Sequence, residues 1–370
     1  MGGDDDYRFL SLISYKSVKG RTEGMKSFEF PYGKGSQSLA LDERHIQYYL
    51  TGSPSGVISD EETAIRDSLR HPINSRPLLD CVKPDGTIVI IVSDITRAVH
   101  TDQMLRAIVA ELEEAGISDD QITVLVALGT HRQQTEEETA AVCGKDMVRR
   151  LKVVQHDCHD ASQLVSVGTT SYGNDVRLNR LAVEADTVIL TGAVSFHDMA
   201  GFGGGRKAVL PGIAGYDTIM TNHALALNDA CPYGMDPRCD AGKLADNPIH
   251  CDMMEGAAFL RPAFLVNLVL TADGGLYDVV SGNWHTAWQE GCRRLLALDG
   301  VPVGHLSDVV IGSAGGHPKD INLYQATKAH MNAVFAVKPG GILILAMACP
   351  DMYEPADFTD WFFRDDLDAV

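Results

Sequence analysis

The sequence predicts an α/β protein made of two α/β domains with mainly parallel sheets, and three observations support this prediction. Short apolar runs rich in β-branched residues are bounded by turn residues, which is typical of buried strands. Amphipathic helical patterns lie between these runs, and strands that alternate with helices favour a parallel sheet. The chain has 370 residues, which is too long for one ordinary hydrophobic core, so two domains are expected.

Each predicted strand is a short run dominated by Val, Ile, Leu and Phe that carries no charged residue. These runs cover residues 87–92, 122–127, 187–190, 264–270, 309–311 and 342–345. Residues 101–115 show a helical pattern instead, because their apolar residues recur at three-to-four spacing and Gly116 supplies a stop signal. We expect the glutamates of this helix to face water. They are Glu111, Glu113 and Glu114.

A change of composition near residues 270–300 predicts the boundary between the two domains. A glycine pair there precedes a helical pattern, and a new series of strand and helix begins at Val309. We therefore expect an N-terminal tail or leader, a Rossmann-like N-terminal domain that begins near Met25, a helical linker and a smaller C-terminal domain. Their predicted bounds are 1–24, 25–275, 276–304 and 305–370.

The composition excludes several classes of protein. With 31 basic and 50 acidic residues the net charge is −19, which argues against a nucleic-acid partner because phosphates require clustered Lys and Arg. No apolar run reaches the roughly 20 residues that cross a bilayer, and acidic residues stand where a signal peptide has basic ones. The 8 cysteines include no C-x-x-C pair, which favours reduced thiols in a cytoplasmic protein over a zinc site.

Polar side chains follow three of the predicted strands at the point where each strand ends. Asp94 and Arg97 follow the first in the motif SDITR, His131 follows the second in GTHR, and His197 follows the third in SFHD. Because the carboxyl ends of parallel strands form the ligand crevice, we expect these side chains to converge. Alternatives remain open: a lone histidine is often a surface or capping residue, and Arg97 could cap a helix or pair with Asp94.

The segment SFHDMAGFGGGRK, which contains His197, joins a run of glycines to Lys207. As a Rossmann fingerprint it is weak, because its sixth position is not glycine and it follows the third strand. As a Walker loop it fails, because Ala208 stands where Ser or Thr would hold magnesium. It suits a backbone cradle whose N–H groups approach an anion, with Lys207 either neutralising a phosphate or acting as an amine nucleophile toward a cofactor.

Two further features complete the candidate set. His223 follows Lys207 along the chain, and a neutral imidazole beside a covalent cofactor is a common ligand of soft metals. Tyr324, Gln325 and Lys328 follow a glycine-rich turn, with the tyrosine and the lysine on one helix face. An amide and a lysine at a helix start suit a carboxylate, whereas the alternative is an ordinary solvated helix.

With these motifs in order, the chain resembles the nickel-pincer lactate racemase family from about Met25 to its end. The series is SDITR, GTHR, SFHDMAGFGGGRK, the histidine at 223 and YQATK. The resemblance implies two α/β domains with the cofactor in the cleft between them. That cofactor is the nickel-pincer nucleotide, the nickel complex of pyridinium-3-thioamide-5-thiocarboxylic acid mononucleotide. Relative to the family pattern, we expect the C-terminal domain to be truncated.

The resemblance also implies a role for each candidate residue. Lys207 corresponds to the lysine that is joined covalently to the cofactor, and His223 to the histidine that completes the coordination of nickel. His131 and His197 correspond to the two catalytic histidines. The positions that contact the cofactor are Asp94, Gly203, Gly204, Gly205 and Tyr324. The substrate-binding positions are Arg97, Gln325 and Lys328.

The implied activity is racemisation or epimerisation of a 2-hydroxy acid such as lactate. The α-hydrogen leaves as hydride while a base takes the hydroxyl proton. Inversion requires one such base on each face of the α-carbon, and each should titrate near neutral pH, as histidine does. The implied partners are the small acid and the proteins that synthesise and load the cofactor, and the sequence is compatible with an oligomer. Two alternatives stay open: a redox enzyme with the same hydride acceptor, and a non-catalytic carrier of a nucleotide-like cofactor.

Overall fold

The computed structural model describes residues 24–50, 56–97, 99–228, 230, 234–301, 303–353 and 360–364. The predicted N-terminal tail, apart from Gly24, and residues 365–370 lie outside the described residues. The chain divides into two compact units. We call Ser55–Ala297 the central unit, and the residues before and after that range the terminal unit. Each unit is described by itself.

The described residues form strands and helices in the following order. The strands are β1 (Met25–Tyr32), β2 (Gly35–Asp42), β3 (Ile88–Ser93), β4 (Ile122–Ala127), β5 (Lys152–Gln155), β6 (Leu164–Thr169), β7 (Asp175–Asn179), β8 (Thr187–Val194), β9 (Phe196–His197), β10 (Gly201–Phe202), β11 (Phe264–Leu270), β12 (Leu276–Gly282), β13 (Ser307–Ser313) and β14 (Val337–Ala346). The helices are α1 (Glu61–Arg70), α2 (Leu78–Cys81), α3 (Thr101–Glu114), α4 (Glu136–Cys143), α5 (Lys145–Arg150), α6 (Arg180–Glu184), α7 (Tyr216–Ala224), α8 (Pro248–Leu260), α9 (Thr286–Asp299) and α10 (Leu323–Ala333).

The central unit is built on a six-stranded sheet with the order β12-β11-β8-β3-β4-β5. All neighbouring strands are parallel except β12, which pairs antiparallel with β11 at the edge. The inner strands are almost entirely buried, which is why they consist of continuous apolar runs. The predicted α/β class with a mainly parallel sheet is confirmed, and the four runs predicted before residue 275 lie within or next to β3, β4, β8 and β11.

The predicted domain boundaries differ from the two observed units. The hairpin formed by β1 and β2 belongs to the terminal unit, although the sequence placed it in the N-terminal domain. Residues 276–304 are not a purely helical linker, because β12 forms the antiparallel edge of the central sheet before α9 begins. Although the composition of β12 is mixed, its hydrogen bonds with β11 make it a strand of the central sheet. The division between the two units falls within α9.

Helix α3 packs against the sheet through the apolar stripe that the sequence predicted, and Gly116 follows it at φ +83. The prediction that Glu111 faces water is wrong, because this side chain is only 3% exposed. Arg66 donates to its carboxylate at 2.8 Å, and the Arg70 guanidinium lies 2.7 Å from the same oxygen. Both arginines lie on α1, a helix that precedes the sheet in the chain, and their guanidinium groups cover the Glu111 carboxylate.

Replacing Glu111 by alanine should lower the free energy of unfolding by about 2–3 kcal/mol, because two guanidinium groups lose a buried partner. Urea unfolding followed by circular dichroism measures this change. The matched control is Glu113→Ala, whose carboxylate is 64% exposed and pairs with Arg150 at 3.4 Å. That change should cost no more than about 0.5 kcal/mol. Equal losses in the two variants would contradict the buried ion pair.

The terminal unit contains the antiparallel hairpin β1–β2 and the parallel pair β13–β14, with α10 packed on the latter. The runs predicted at 309–311 and 342–345 lie within β13 and β14, so both strands are confirmed. The buried carboxylate of Asp320 joins distant parts of this unit, since its Oδ2 accepts N–H groups of Gly33 at 2.7 Å and Ala348 at 3.0 Å. Contacts between residues so far apart in the chain explain why the hairpin joins this unit.

The described part of the chain contains no helix that is both long and apolar enough to cross a membrane. The cysteines it contains are free thiols, and most of them are buried. This agrees with the predicted reduced state of Cys81, Cys143, Cys158, Cys239, Cys251, Cys292 and Cys349. Cys231 lies outside the described residues.

Candidate functional site

The loops that carry the candidate residues leave the carboxyl ends of three adjacent strands. β3 lies between β4 and β8, and the chain proceeds from β3 outward to either side of the sheet. The β3–β8 neighbourhood is therefore the topological switch point, where open α/β sheets bind ligands. Asp94 follows β3, His131 follows β4, and both His197 and Lys207 follow β8.

Asp94 and His131 form a direct pair across the β3 and β4 loops. The Oδ2 atom of Asp94 lies 2.5 Å from Nδ1 of His131, and the Thr96 hydroxyl donates to Oδ1 at 2.7 Å. Burial raises the pKa of Asp94, but the hydrogen bonds from His131 and Thr96 outweigh it and leave the pKa below its usual value. The charged carboxylate therefore accepts a proton-bearing Nδ1, which leaves the Nε2 lone pair of the exposed His131 ring available.

Gln134, which the sequence reasoning missed, fixes these two loops relative to each other. Its Oε1 accepts the N–H of Ile95 at 2.5 Å, next to Asp94, and its own N–H donates to Gln155 at 2.7 Å. The side chain is 6% exposed, so these bonds are shielded from water. A polar residue three positions after a candidate histidine was the only signal in the sequence, and it did not indicate burial.

His197 lies on the two-residue strand β9, which pairs with β10. Its Nδ1 accepts the backbone N–H groups of Met199 and Ala200, each at 3.2 Å, and an Asp198 carboxylate oxygen lies 3.2 Å from the same atom. Because two donors face this nitrogen against one acceptor, we assign the proton of the neutral ring to Nε2. Burial lowers the pKa of His197 to about 2, with further lowering by the charges of Lys207, Arg206, Arg97 and His223. The imidazole is therefore neutral at physiological pH.

Lys207 lies in the short 3₁₀ turn Gly205–Ala208 that ends the glycine run. Burial lowers the pKa of its amine to about 7, and the positive charges of Arg206 and Arg97 contribute to this lowering, which Asp198 opposes. About half of these amines are consequently neutral near pH 7. Arg97 also acts electrostatically on Asp94 and His197, so the structure brings Arg97, His197 and Lys207 to one edge of the sheet.

The glycine run does not form the anion cradle that the sequence suggested. The N–H of Gly203 donates to the Ser195 carbonyl at 2.7 Å, and that of Gly205 donates to Oδ1 of Asn267 at 2.8 Å. With these donors used inside the protein, the glycines instead permit close packing. A Cβ on Gly204 would lie 2.6 Å from Asn267, and one on Gly205 would lie 2.5 Å from the ring of Trp288. Their direct contact with a cofactor stays a prediction.

Replacing Gly205 by alanine should destabilise the protein by about 2–4 kcal/mol, because its φ of +54 disfavours a side chain and the new methyl group collides with Trp288. Thermal unfolding compared with Gly173→Ala tests this. Gly173 has a φ of +80 but open space around its Cβ, so backbone strain alone should cost about 1 kcal/mol there. If both variants lost the same stability, close packing at Gly205 would not be its role.

His223 lies in the last turn of α7, with its Nδ1 2.9 Å from the Ile219 carbonyl. Nδ1 therefore carries the proton and Nε2 presents its lone pair. Burial lowers the pKa of His223 and the charge of Lys207 lowers it further, so the ring is a neutral donor. The neighbouring Asn222 donates to the buried Asp252 at 2.8 Å, which holds α7 against α8.

The Nε2 lone pair of His223 is a suitable donor to a soft metal. Within the described residues, no group of three or more His, Cys, Asp or Glu side chains could hold a metal ion. That a metal at His223 takes its other donors from another molecule stays a prediction. The Lys207 amine is half-buried, and its positive charge adds to burial in lowering the pKa of His223. This amine is a suitable point to attach such a molecule.

Tyr324, Gln325 and Lys328 lie together at the start of α10 in the terminal unit. The Lys328 amine donates to Oε1 of Gln325 at 2.8 Å and lies 5.8 Å from the centre of the Tyr324 ring. The predicted shared helix face is therefore confirmed. The helix begins at the Asn322 cap, which accepts the N–H of Gln325 at 2.9 Å. Their contribution to the site of the central unit stays a prediction.

The fold and its side chains define an α/β protein with a switch-point site rich in histidine and cationic groups. Comparison with known proteins identifies the family. Residues 32–232 match the lactate racemase N-terminal domain, and residues 304–367 match the lactate racemase C-terminal domain. The lactate racemase of Thermoanaerobacterium thermosaccharolyticum is 33% identical over 340 residues, which is 91% of this chain and 78% of the relative. That of Lactiplantibacillus plantarum is 34% identical over 330 residues, or 88% of this chain and 76% of the relative.

Solved structures agree with this assignment. The lactate racemase apoprotein of T. thermosaccharolyticum has a TM-score of 0.81 at 32% sequence identity, covering 91% of this chain and 78% of its own. A protein from Thermotoga maritima shares the fold alone, with a TM-score of 0.53 at 23% identity over 68% of this chain and 63% of its own. The chain belongs to the lactate racemase family, and it is an isomerase of the racemase type.

Proposed function

We propose that this protein inverts the α-carbon of a 2-hydroxy acid, with lactate as the first candidate, using a nickel-pincer nucleotide attached to Lys207. The observation that carries the proposal is the grouping, at the switch point of the sheet, of a largely buried amine with two histidines whose Nδ1 atoms have different partners. Both relatives are lactate racemases, which supports lactate as the substrate.

His131 acts as the base that takes the hydroxyl proton. Asp94 accepts from Nδ1–H, which fixes the tautomer, and the Nε2 lone pair is left to accept the proton. The imidazolium that forms is stabilised by the carboxylate at 2.5 Å. A positioned base of this kind accelerates a reaction by roughly 10²–10⁴-fold.

His197 presents the opposite tautomer and begins the reaction as a hydrogen-bond donor. Two backbone N–H groups donate to its Nδ1, so Nε2–H is left as the donor to a bound substrate. A donor at this atom stabilises negative charge that develops on a substrate oxygen. The two histidines therefore differ in their resting roles, which the sequence did not indicate.

The substrate carboxylate requires a fixed cation. Arg97 is exposed at the carboxyl end of β3, and a guanidinium binds a carboxylate through two parallel hydrogen bonds. Gln325 and Lys328 would complete this binding from the terminal unit, as the family pattern implies. Fixing the carboxylate orients the α-carbon between the reacting groups, which contributes strongly to the rate.

The proposed cofactor fits the residues present. Lys207 would hold it covalently, and His223 would bind its nickel through Nε2, the lone pair left by the bond from Nδ1 to Ile219. Asp94, Tyr324 and the glycines Gly203, Gly204 and Gly205 are proposed contacts. When bound, the nickel-pincer group supplies an electrophilic carbon and metal that accept and return hydride. The proteins that synthesise the cofactor would be its loading partners.

The tautomers give a direct spectroscopic prediction for the apoprotein. In ¹⁵N-labelled protein, at a pH where both rings are neutral, His131 should show a protonated Nδ1 and an unprotonated Nε2, whereas His197 should show the reverse. The substitutions His131→Gln and His197→Gln assign the signals. Identical tautomers for both rings would contradict the different roles described above.

The activity is tested with protein purified from cells that make the cofactor, by assaying each enantiomer of lactate and of related 2-hydroxy acids. The proposal expects conversion of one enantiomer to an equal mixture of both. Steady accumulation of a 2-keto acid would instead indicate the redox alternative. No conversion of any acid, with nickel and the lysine adduct both present, would contradict the proposed function, and unchanged binding in the histidine variants would then favour a carrier.

A further inference from the structure

Arg206 is a buried cation for which the described residues provide no carboxylate partner. Its side chain is 0% exposed, and its hydrogen bonds go to neutral acceptors. They are His250 Nδ1 at 3.0 Å, the Phe202 carbonyl at 2.9 Å and the Ala200 carbonyl at 2.7 Å. A buried charge that lacks an opposite charge is costly, so its retention beside Lys207 requires a reason.

Aromatic contacts hold the guanidinium in place. Its central carbon lies 4.0 Å from the centre of the Trp288 ring, and His250 stacks on the same tryptophan. The Trp288 indole in turn donates to the Gly203 carbonyl at 2.8 Å. Arg206, Trp288 and His250 therefore form one assembly, which we call the buried cation cluster, beneath the glycine run.

The buried cation cluster acts on His197 and on Lys207, the two candidate residues that follow β8. Its bonds to the carbonyls of Ala200 and Phe202 brace β10, the strand that pairs with β9 and thus with His197. Arg206 also directly precedes Lys207 in the same 3₁₀ turn. The buried guanidinium and the adjacent half-buried amine repel each other when both are charged, and only the lysine can relieve this by losing a proton, because a guanidinium remains charged.

We propose that Arg206 is a positioning residue for the attachment of the cofactor: its buried charge favours the neutral, nucleophilic form of the half-buried Lys207 amine, while its hydrogen bonds hold β10 beside His197. This rests on the proposed function, in which Lys207 carries the cofactor. Arg206 itself has no exposed atom with which to contact a ligand, so it acts through Lys207. The lowered pKa of Lys207, about 7, agrees with this role.

The other charged and titratable groups that act on Lys207 are Arg97 and Asp198. His197 and His223 interact with it as well, and both are neutral near pH 7. Arg97 reinforces the effect of Arg206, and the single carboxylate of Asp198 opposes it. Burial is the largest cause of the lowered pKa of Lys207 and persists without Arg206, whose charge is the next largest cause. Removing Arg206 should therefore move the pKa of the amine part of the way back toward that of an ordinary lysine.

The test measures how the reactivity of Lys207 depends on pH in the apoprotein, without nickel. Trace acetic anhydride is added between pH 5 and pH 10, and acetylation is quantified by peptide mass spectrometry. The amine nitrogen attacks one carbonyl carbon, acetate leaves, and the amine proton passes to solvent. For the unaltered chain we expect half-maximal reactivity near pH 7, as the pKa of Lys207 is lowered to about 7.

Arg206→Met should raise the midpoint by about one pH unit or more and reduce acetylation at pH 7 roughly tenfold. Arg206→Lys places an amine that can itself lose its proton at this buried position, so its midpoint should lie between those of the unaltered chain and the methionine variant, while the melting temperature falls because the forked hydrogen bonds are lost. Arg180→Met, at an exposed arginine that pairs with Glu184, is the control and should change neither quantity. A structural role alone would not separate the methionine from the lysine variant in this way.

A folded Arg206→Met protein with an unchanged midpoint would overturn the proposal. If that variant does not fold, two other results still decide: an unaltered chain whose Lys207 titrates near pH 10, or an Arg206→Lys midpoint below that of the unaltered chain, would contradict it. The result is also separable from the proposed function. A low midpoint together with absent racemisation would refute the activity but not the action of Arg206 on Lys207.

Discussion

Replacing Lys207 by methionine should abolish turnover completely and, in the apoprotein, raise the free energy of unfolding by about 1–3 kcal/mol at pH 7. Turnover is lost because the cofactor has no point of attachment. Stability rises because a pKa lowered to about 7 means that the folded state resists a proton that the unfolded state binds. Urea unfolding of both apoproteins and a racemisation assay measure the two effects.

The free energy of unfolding should depend on pH in a direction set by the lowered pKa of Lys207. Between about pH 7 and the ordinary lysine pKa of about 10.4, the unfolded chain binds more protons at this residue than the folded chain, so the unaltered protein gains stability as the pH rises. The advantage of the methionine variant should therefore shrink toward pH 10. Lys145→Met, at an exposed lysine, should show no such trend. A destabilised Lys207→Met apoprotein at pH 7 would contradict the lowered pKa.

Removing the base should produce the other large effect. His131→Asn should reduce kcat by roughly 10²–10⁴-fold, because the Nε2 lone pair that takes the hydroxyl proton is lost. Asp94→Asn leaves the histidine in place but no longer fixes Nδ1–H, so it should also reduce kcat, by about 10²-fold or more. Steady-state kinetics of the loaded enzymes with both enantiomers measure these losses.

The control for this series is His71→Asn, whose ring is 76% exposed and pairs with Asp67. It should leave kcat and KM unchanged. Adduct formation on Lys207 must be equal in all the variants compared, which intact mass verifies, so that the kinetics report on the base alone. Full activity in a loaded His131→Asn protein would contradict the assignment of this residue as the base.

The sequence predicted the features that depend on local pattern. The inner parallel strands were found because they are continuously apolar, and the positions of Asp94, His131 and His197 followed from the rule that ligand sites form at the carboxyl ends of such strands. Gly116 ended its helix as predicted because a positive φ is a local requirement. The family assignment from ordered motifs was likewise confirmed.

Predictions from the sequence were wrong where contacts with residues distant in the chain determine the structure. Glu111 looked exposed, because nothing local indicates that Arg66 and Arg70 on another helix will enclose it. The glycine run looked like an anion cradle, because the acceptor for the Gly205 N–H is on a strand some sixty residues later. That acceptor, Asn267, was the available signal, since it is a polar residue within the otherwise apolar strand β11.

The central claim is that Lys207 carries an organic group that brings nickel to the site, and an intact mass measurement tests it most directly. Protein purified under native conditions from cells that make the cofactor should carry a mass increase that contains sulfur and nickel. Peptide mapping should locate it on Lys207, and Lys207→Met should lack it. A protein that interconverts 2-hydroxy acid enantiomers while Lys207 is unmodified would contradict the account.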